Sequence, residues 1–215
     1  MASRSRPTPV PAGDQAPALR RAPTQGRSRQ RVERLLAAAA ALIAEEGSDA
    51  MRMSEVAERA GVSIGSLYQY FPDKAAILRT LAERYNVEDR ACIEAELATV
   101  HSAAGLRAAL GRLIDTYYEM FLAEPVRRDI WSGTQADKTL HDVDLADNRA
   151  NAALLTEVLA RLRPRANRAE LAASAFLMWH LAGATVRLAV SMKRAEGDAL
   201  VAAVKRMLLK EILSS

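Results

Sequence analysis

The sequence has little of what staples, ligates or catalyses. Its one cysteine, Cys92, excludes an intramolecular disulfide framework and cannot by itself make a cysteine-based zinc site. The three histidines, His101, His141 and His180, are too scattered along the chain to suggest a metal centre, so neither a metal nor a cofactor is expected. No Ser-His-Asp or Cys-His arrangement can be recognised from spacing and no glycine-rich phosphate loop occurs, which leaves an all-helical enzyme as the weakest reading. Runs of alternating β-branched residues are absent and aromatics are few, while Ala, Leu and Arg dominate, so the fold class expected is all-α. The longest apolar run, Leu35 to Ala44, is too short to span a bilayer. Glu33 interrupts the basic stretch before it, Glu45-Glu46 close it, and it begins too far from Met1 for an ordinary secretory signal. The expectation is a cytoplasmic chain without a membrane partner.

Basic charge is present, and it is concentrated at one end. Residues 1–34 hold eight arginines against Asp14 and Glu33, a net +6, although the whole chain carries only +4. A basic end on a mildly acidic body suits a protein that meets a phosphate backbone with that end; a solubilising tail is the plainer alternative. Five of the eight prolines lie within residues 1–26, which are expected to form a disordered basic tail.

From Gln30 onward the apolar spacing turns helical, through Val32, Leu35, Leu36, Ala39, Leu42 and Ile43 to a stop at Gly47. Two short helices, Met53–Ala60 and Ile64–Tyr70, follow, joined by Ala60-Gly61-Val62-Ser63. Pro72-Asp73 then breaks the chain, and Asp73 can cap a long helix to about Leu97, with a reach of about 35 Å. Further helices are expected over 105–122, 125–131, 145–162, 167–192 and 200–212, with a polar, irregular, Asp-rich stretch at 134–145.

The paired short helices read as a DNA-docking device. The second is dense in small and hydroxyl-bearing residues where a solvated helix would carry Glu and Lys. Gly61 can take the left-handed conformation of a sharp turn, and Ser63 is placed to cap the next helix. Leu67 and Phe71 should face inward. Ser66 and Gln69 can bond base edges, Ile64 can touch a thymine methyl, and Gly65 allows close approach. Lys74 opposes the dipole at the start of its helix, which a bound phosphate would explain.

The stretch AERAGVSIGSLYQYFPDKAAIL, and the wider segment from Arg31 to Leu78, resembles the DNA-binding domain of the TetR family of bacterial transcriptional regulators. The resemblance implies phosphate contacts by Tyr68, Tyr70 and Lys74, although packing against neighbouring helices is about as good a reading for Tyr68. Members commonly carry Ser or Thr where this chain has Arg52. Ser54 can cap the second helix instead, and Arg52 can make a longer-range phosphate contact. Residues 27–74 are then the DNA-binding domain and 75–215 an effector-binding and dimerisation domain.

The partners implied are a palindromic double-stranded operator, a second copy of the chain and a small apolar or aromatic effector, in a protein acting as a repressor. The effector would move the helix that begins after Asp73 and so change the spacing of the two DNA-reading heads. The small residues Ala172, Ala173, Ala175, Ala182, Gly183 and Ala184, with Leu200, Val204, Met207 and Leu208, suit a helical dimer interface or a tightly packed core within one subunit, and the resemblance implies the dimer. Tyr117, Phe121, Trp131, Met178, Trp179 and His180 are the candidate ligand-binding residues; Gln135 and Asn151 can orient a ligand or sit on the surface. Asp142, Asp144 and Asp147 read as a solvated turn. Arg20, Arg21, Arg27 and Arg29 can enter the minor groove beside the main site.

Overall fold

The computed structural model describes residues 21–132 and 137–211. The expectations for residues 1–20 (Arg20 among them), for Gln135, and for the chain beyond Glu211 lie outside these segments.

Nine helices and no strand occur among the described residues: α1 Arg21–Glu46, α2 Met53–Arg59, α3 Ile64–Tyr68, α4 Lys74–Ala98, α5 Ala103–Ala123, α6 Pro125–Ser132, α7 Lys138–Leu162, α8 Arg168–Val190 and α9 Arg194–Glu211. The first three pack around Leu35, Leu42, Val56, Leu67 and Phe71, all buried. The last five, with most of α4, enclose a second core that includes Leu106, Phe121, Ile130, Leu155 and Val186.

Local chemistry sets the boundaries. Gly61 has φ +66°, and the N–H groups of Gly61 and Val62 donate to the carbonyls of Glu58 and Ala57, both at 3.0 Å. This is the glycine-terminated stop that closes α2 and turns the chain into α3. Ser63 Oγ accepts the Ser66 N–H at 3.2 Å and Asp73 Oδ1 accepts the Ala76 N–H at 2.8 Å, so both sequence-read caps are formed. At α2 the cap is different from the one expected. Arg52 occupies the N-cap position and its N–H donates to Glu55 Oε2 at 3.3 Å, while Ser54 lies inside the helix.

Three boundaries depart from the sequence reading. Helix α1 reaches back to Arg21, inside the stretch assigned to the tail. Helix α7 begins at Lys138, so much of the Asp-rich stretch is helical; Asp137 Oδ1 accepts the Leu140 N–H at 3.1 Å and starts it. Helix α9 begins at Arg194 and runs through Gly197, inside the gap expected between 192 and 200. Gly197 is needed for packing: a Cβ there would lie 2.5 Å from the Ala189 carbonyl oxygen and 2.7 Å from Tyr118 Oη. Gly197→Ala should therefore destabilise the protein by about 1–3 kcal/mol in urea unfolding, against the usual gain of Ala over Gly in a helix.

Candidate functional site: an exposed helix face and an interior cavity

The α2–α3 unit presents a face with few internal partners. Ile64 and Tyr68 are 43% and 51% exposed, Gly65, Gln69 and Arg52 are exposed, and Ser66 is half-buried, while Leu67 and Phe71 point into the core. The two tyrosines take opposite roles from those weighed in the sequence. Tyr70 is half-buried against the core, and its oxygen accepts a 3.3 Å hydrogen bond from Ser28 Oγ of α1. That bond, with Arg31 nearby, pulls the Tyr70 hydroxyl below its ordinary pKa. Tyr68 is the exposed one.

Lys74 also has an internal role. Its Nζ donates to the carbonyls of Ser48 and Asp49 at 2.9 and 3.0 Å, which explains a cation at this helix start without any phosphate. The loop it grips is held from the other side as well, because the Ser48 N–H donates to Asp129 Oδ2 of α6 at 2.9 Å. Tyr68→Ala should leave urea stability within about 0.5 kcal/mol of wild type, whereas Lys74→Met should cost about 0.5–1.5 kcal/mol by removing the two hydrogen bonds that hold the loop.

In the second unit, α4 to α9 surround a cavity of about 100 Å³. Four of the six ligand candidates line it: Tyr117, Trp131, Met178 and Trp179. The other two do not. Phe121 is 2% exposed and packs with the Tyr117 ring at a centroid distance of 4.6 Å, and His180 stacks on Phe176 instead. Ala182 and Gly183 turn to this cavity and Ala175 is buried, so those small residues of α8 make room within the subunit. Val204 and Leu208 of α9 are buried in it too, which leaves Met207, at 70% exposed, on the outer face.

Of the polar wall, the sequence reading anticipates only Asn151. Asp144, Asp147, Asn148 and Asn151 of α7 line the cavity with Asn86 and Asp89 of α4 and Arg187 of α8. The 144, 147, 148, 151, 155 spacing is the inward stripe of a helix, legible once the stretch is read as helical. Each carboxylate has an arginine. Asp89 receives both 2.9 Å bonds of Arg127 Nη1, Asp147 pairs with Arg90 at 2.5 Å, and Asp144 lies 3.6 Å from Arg187. Burial pushes Asp89 up to about 6 against the opposing pull of Arg127, and raises Asp147 against that of Arg90. Burial likewise raises the Tyr117 hydroxyl. Arg127, 5% exposed, also binds Glu124 at 2.7 Å and lies 4.2 Å over the Tyr85 ring. No group of three or more His, Cys, Asp or Glu side chains suited to a metal occurs among the described residues.

Residues 35–81 match the model for bacterial regulatory proteins of the tetR family, and residues 104–214 match the tetracyclin repressor-like C-terminal domain. The HTH-type transcriptional repressor KstR of Mycolicibacterium smegmatis is 46% identical over 50 residues, 23% of this chain and 24% of that repressor. The chain thus matches only about a quarter of that relative's length. A TetR-family regulator from Streptomyces coelicolor superposes with TM-score 0.62 at 28% identity, covering 87% of this chain and 98% of that one. FadR from Bacillus subtilis, solved with stearoyl-CoA, shares the fold at TM-score 0.59 and 18% identity, over 85% of this chain and 97% of that one. With the C-terminal model alone spanning half of its residues, the chain belongs to the TetR family of bacterial transcriptional regulators.

Proposed function

We propose that the protein is a homodimeric repressor that reads a palindromic operator through the exposed face of α3 and leaves it when a small, largely apolar effector enters the cavity. Residues 27–74 act as the DNA-binding part and 75–215 as the effector and dimerisation part. The observation that carries the reading is the position of α6. Its Trp131 lines the cavity, and its Asp129, two residues away, holds the Ser48 N–H of the loop between α1 and α2. An occupant that displaces Trp131 acts on the same rigid turn of helix that grips the DNA-reading unit. Helix α4 gives a second route, since Lys74 holds that loop from one end of it and Asp89 and Ile93 face the cavity farther along. FadR of Bacillus subtilis, of the same fold, was solved with stearoyl-CoA, which supports a ligand-responsive role for a chain of this fold.

The DNA-facing candidates remain Arg52, Ser63, Ile64, Gly65, Ser66, Tyr68, Gln69, Tyr70 and Lys74, with Tyr68, Gln69 and Ile64 the most available for contact. For a hundredfold fall in operator affinity the effector must favour the released state by about 2.7 kcal/mol. Thermal denaturation with a series of small aromatic compounds, followed by operator release with each stabilising one, tests the coupling. A compound that stabilises the protein and releases labelled DNA supports it. Stabilising compounds that all leave the DNA bound would reduce the second unit to a dimerisation module.

A further inference from the structure

Resting on the reading of the cavity as the effector site, we infer that its ligand is an uncharged, ring-sized molecule bearing a hydrogen-bond donor such as a hydroxyl, and that carboxylate and phosphate ligands are excluded. Asn151 carries the first half. It is 2% exposed, lies in the cavity wall, and its Nδ2 donates to Asp147 Oδ2 at 2.7 Å. A carboxylate only accepts, so the amide nitrogen must face Asp147 and the orientation of the amide is fixed. The Oδ1 is left buried and without a hydrogen-bond partner among the described residues. A buried acceptor of this kind selects for a ligand that brings a donor and against one that cannot.

The charges carry the second half. Asp89, Asp144 and Asp147 contribute three carboxylates to the wall, already faced by Arg127, Arg187 and Arg90. Arg187 is the one cation lining the cavity among the described residues, and Asp144 engages it. An anion would meet carboxylates with no uncommitted cation, whereas a cation would meet carboxylates already neutralised. A neutral donor meets Asn151. The rest of the wall, including Ile93, Leu113, Ile114, Leu155, Met178 and Val186, suits an apolar body. At about 100 Å³ the space is of the order that holds one benzene-like ring.

Both tryptophans of the chain, Trp131 and Trp179, line the cavity, so intrinsic fluorescence of the full-length protein reports its occupancy directly. The probes are 4-methylphenol, its methyl ether 4-methylanisole, 4-methylbenzoate and 4-methylbenzylamine. The phenol should bind about tenfold more tightly than the ether, with the benzoate weakest. In Asn151→Leu the preference of phenol over ether should fall to about one. Should that variant not fold, the wild-type series decides alone. Equal binding of phenol and ether, or tightest binding of the benzoate or the amine, overturns the ligand class while leaving the cavity as a receptor. Failure of all four to bind overturns both.

Discussion

Replacing Arg127 with leucine should cost about 3–5 kcal/mol in urea unfolding at pH 8, the largest single effect expected in this chain. Arg127 is 5% exposed and is the principal cation beside Asp89, to which it donates two 2.9 Å bonds. Its removal leaves a desolvated carboxylate facing Asp147 and Glu124 with nothing to offset the charge. The pH dependence follows from the sign of the shift. Burial raises Asp89 from its ordinary 3.8 to about 6, so the folded state holds this proton over a window where the unfolded chain has lost it. The contribution of Asp89 to stability therefore falls as pH rises from about 4 to about 6, and is at its lowest above that. Without Arg127 the opposing pull disappears and the window extends upward. The deficit of Arg127→Leu relative to wild type should accordingly be smaller at pH 5 than at pH 8, and Asp89→Asn added to it should recover part of the loss at pH 8. An equal deficit at both pH values would assign the cost to lost packing on Tyr85.

A double substitution on α8, Leu177→Glu with Leu188→Glu, should give a monomer that is folded but binds operator at least about a hundredfold more weakly. Leu177, Leu181, Leu188 and Met192 are 41–55% exposed, and the first three recur at four- and seven-residue steps on one side of the helix. By length and composition α8 is apolar enough to cross a membrane, with mean hydropathy 1.3 over its most apolar window, of which only 22% is buried. An exposed stripe of this kind, with Met207 of α9, is what a helical interface with a second copy would cover. Because the side chains face out of the subunit, charging them should leave the thermal midpoint of the isolated chain nearly unchanged. Light scattering then separates the outcomes: a dimer that persists with unaltered DNA affinity would place the interface elsewhere.

The parts of the sequence that were legible are those where chemistry is local. The turn at Gly61, the caps at Ser63 and Asp73, and the inward pair Leu67 and Phe71 each follow from residue type and spacing within a few positions. What was not legible depends on contacts distant in the chain. Lys74 looked out of place because its partners, the Ser48 and Asp49 carbonyls, lie about 25 residues earlier. The half-burial of Tyr70 is likewise set by a distant residue, Ser28, whose hydroxyl bonds it from α1. The cavity shows the same limit in reverse. Its aromatic lining and Asn151 were partly anticipated, but Asp144 and Asp147 read as a solvated turn because the arginines that make their burial tolerable sit on α4 and α8. The three- and four-residue spacing of that polar stripe is nonetheless a helical pattern whatever the residues' polarity.

Fluorescence anisotropy with labelled DNA from immediately upstream of the coding sequence, titrated across a range of salt concentrations, tests most directly that this chain acts by binding an operator. Saturable binding by two chains per fragment, resistant to nonspecific competitor and weakening linearly in log affinity against log salt, is the expected result. No binding at low salt, or binding that competitor DNA abolishes at equal mass, would contradict it.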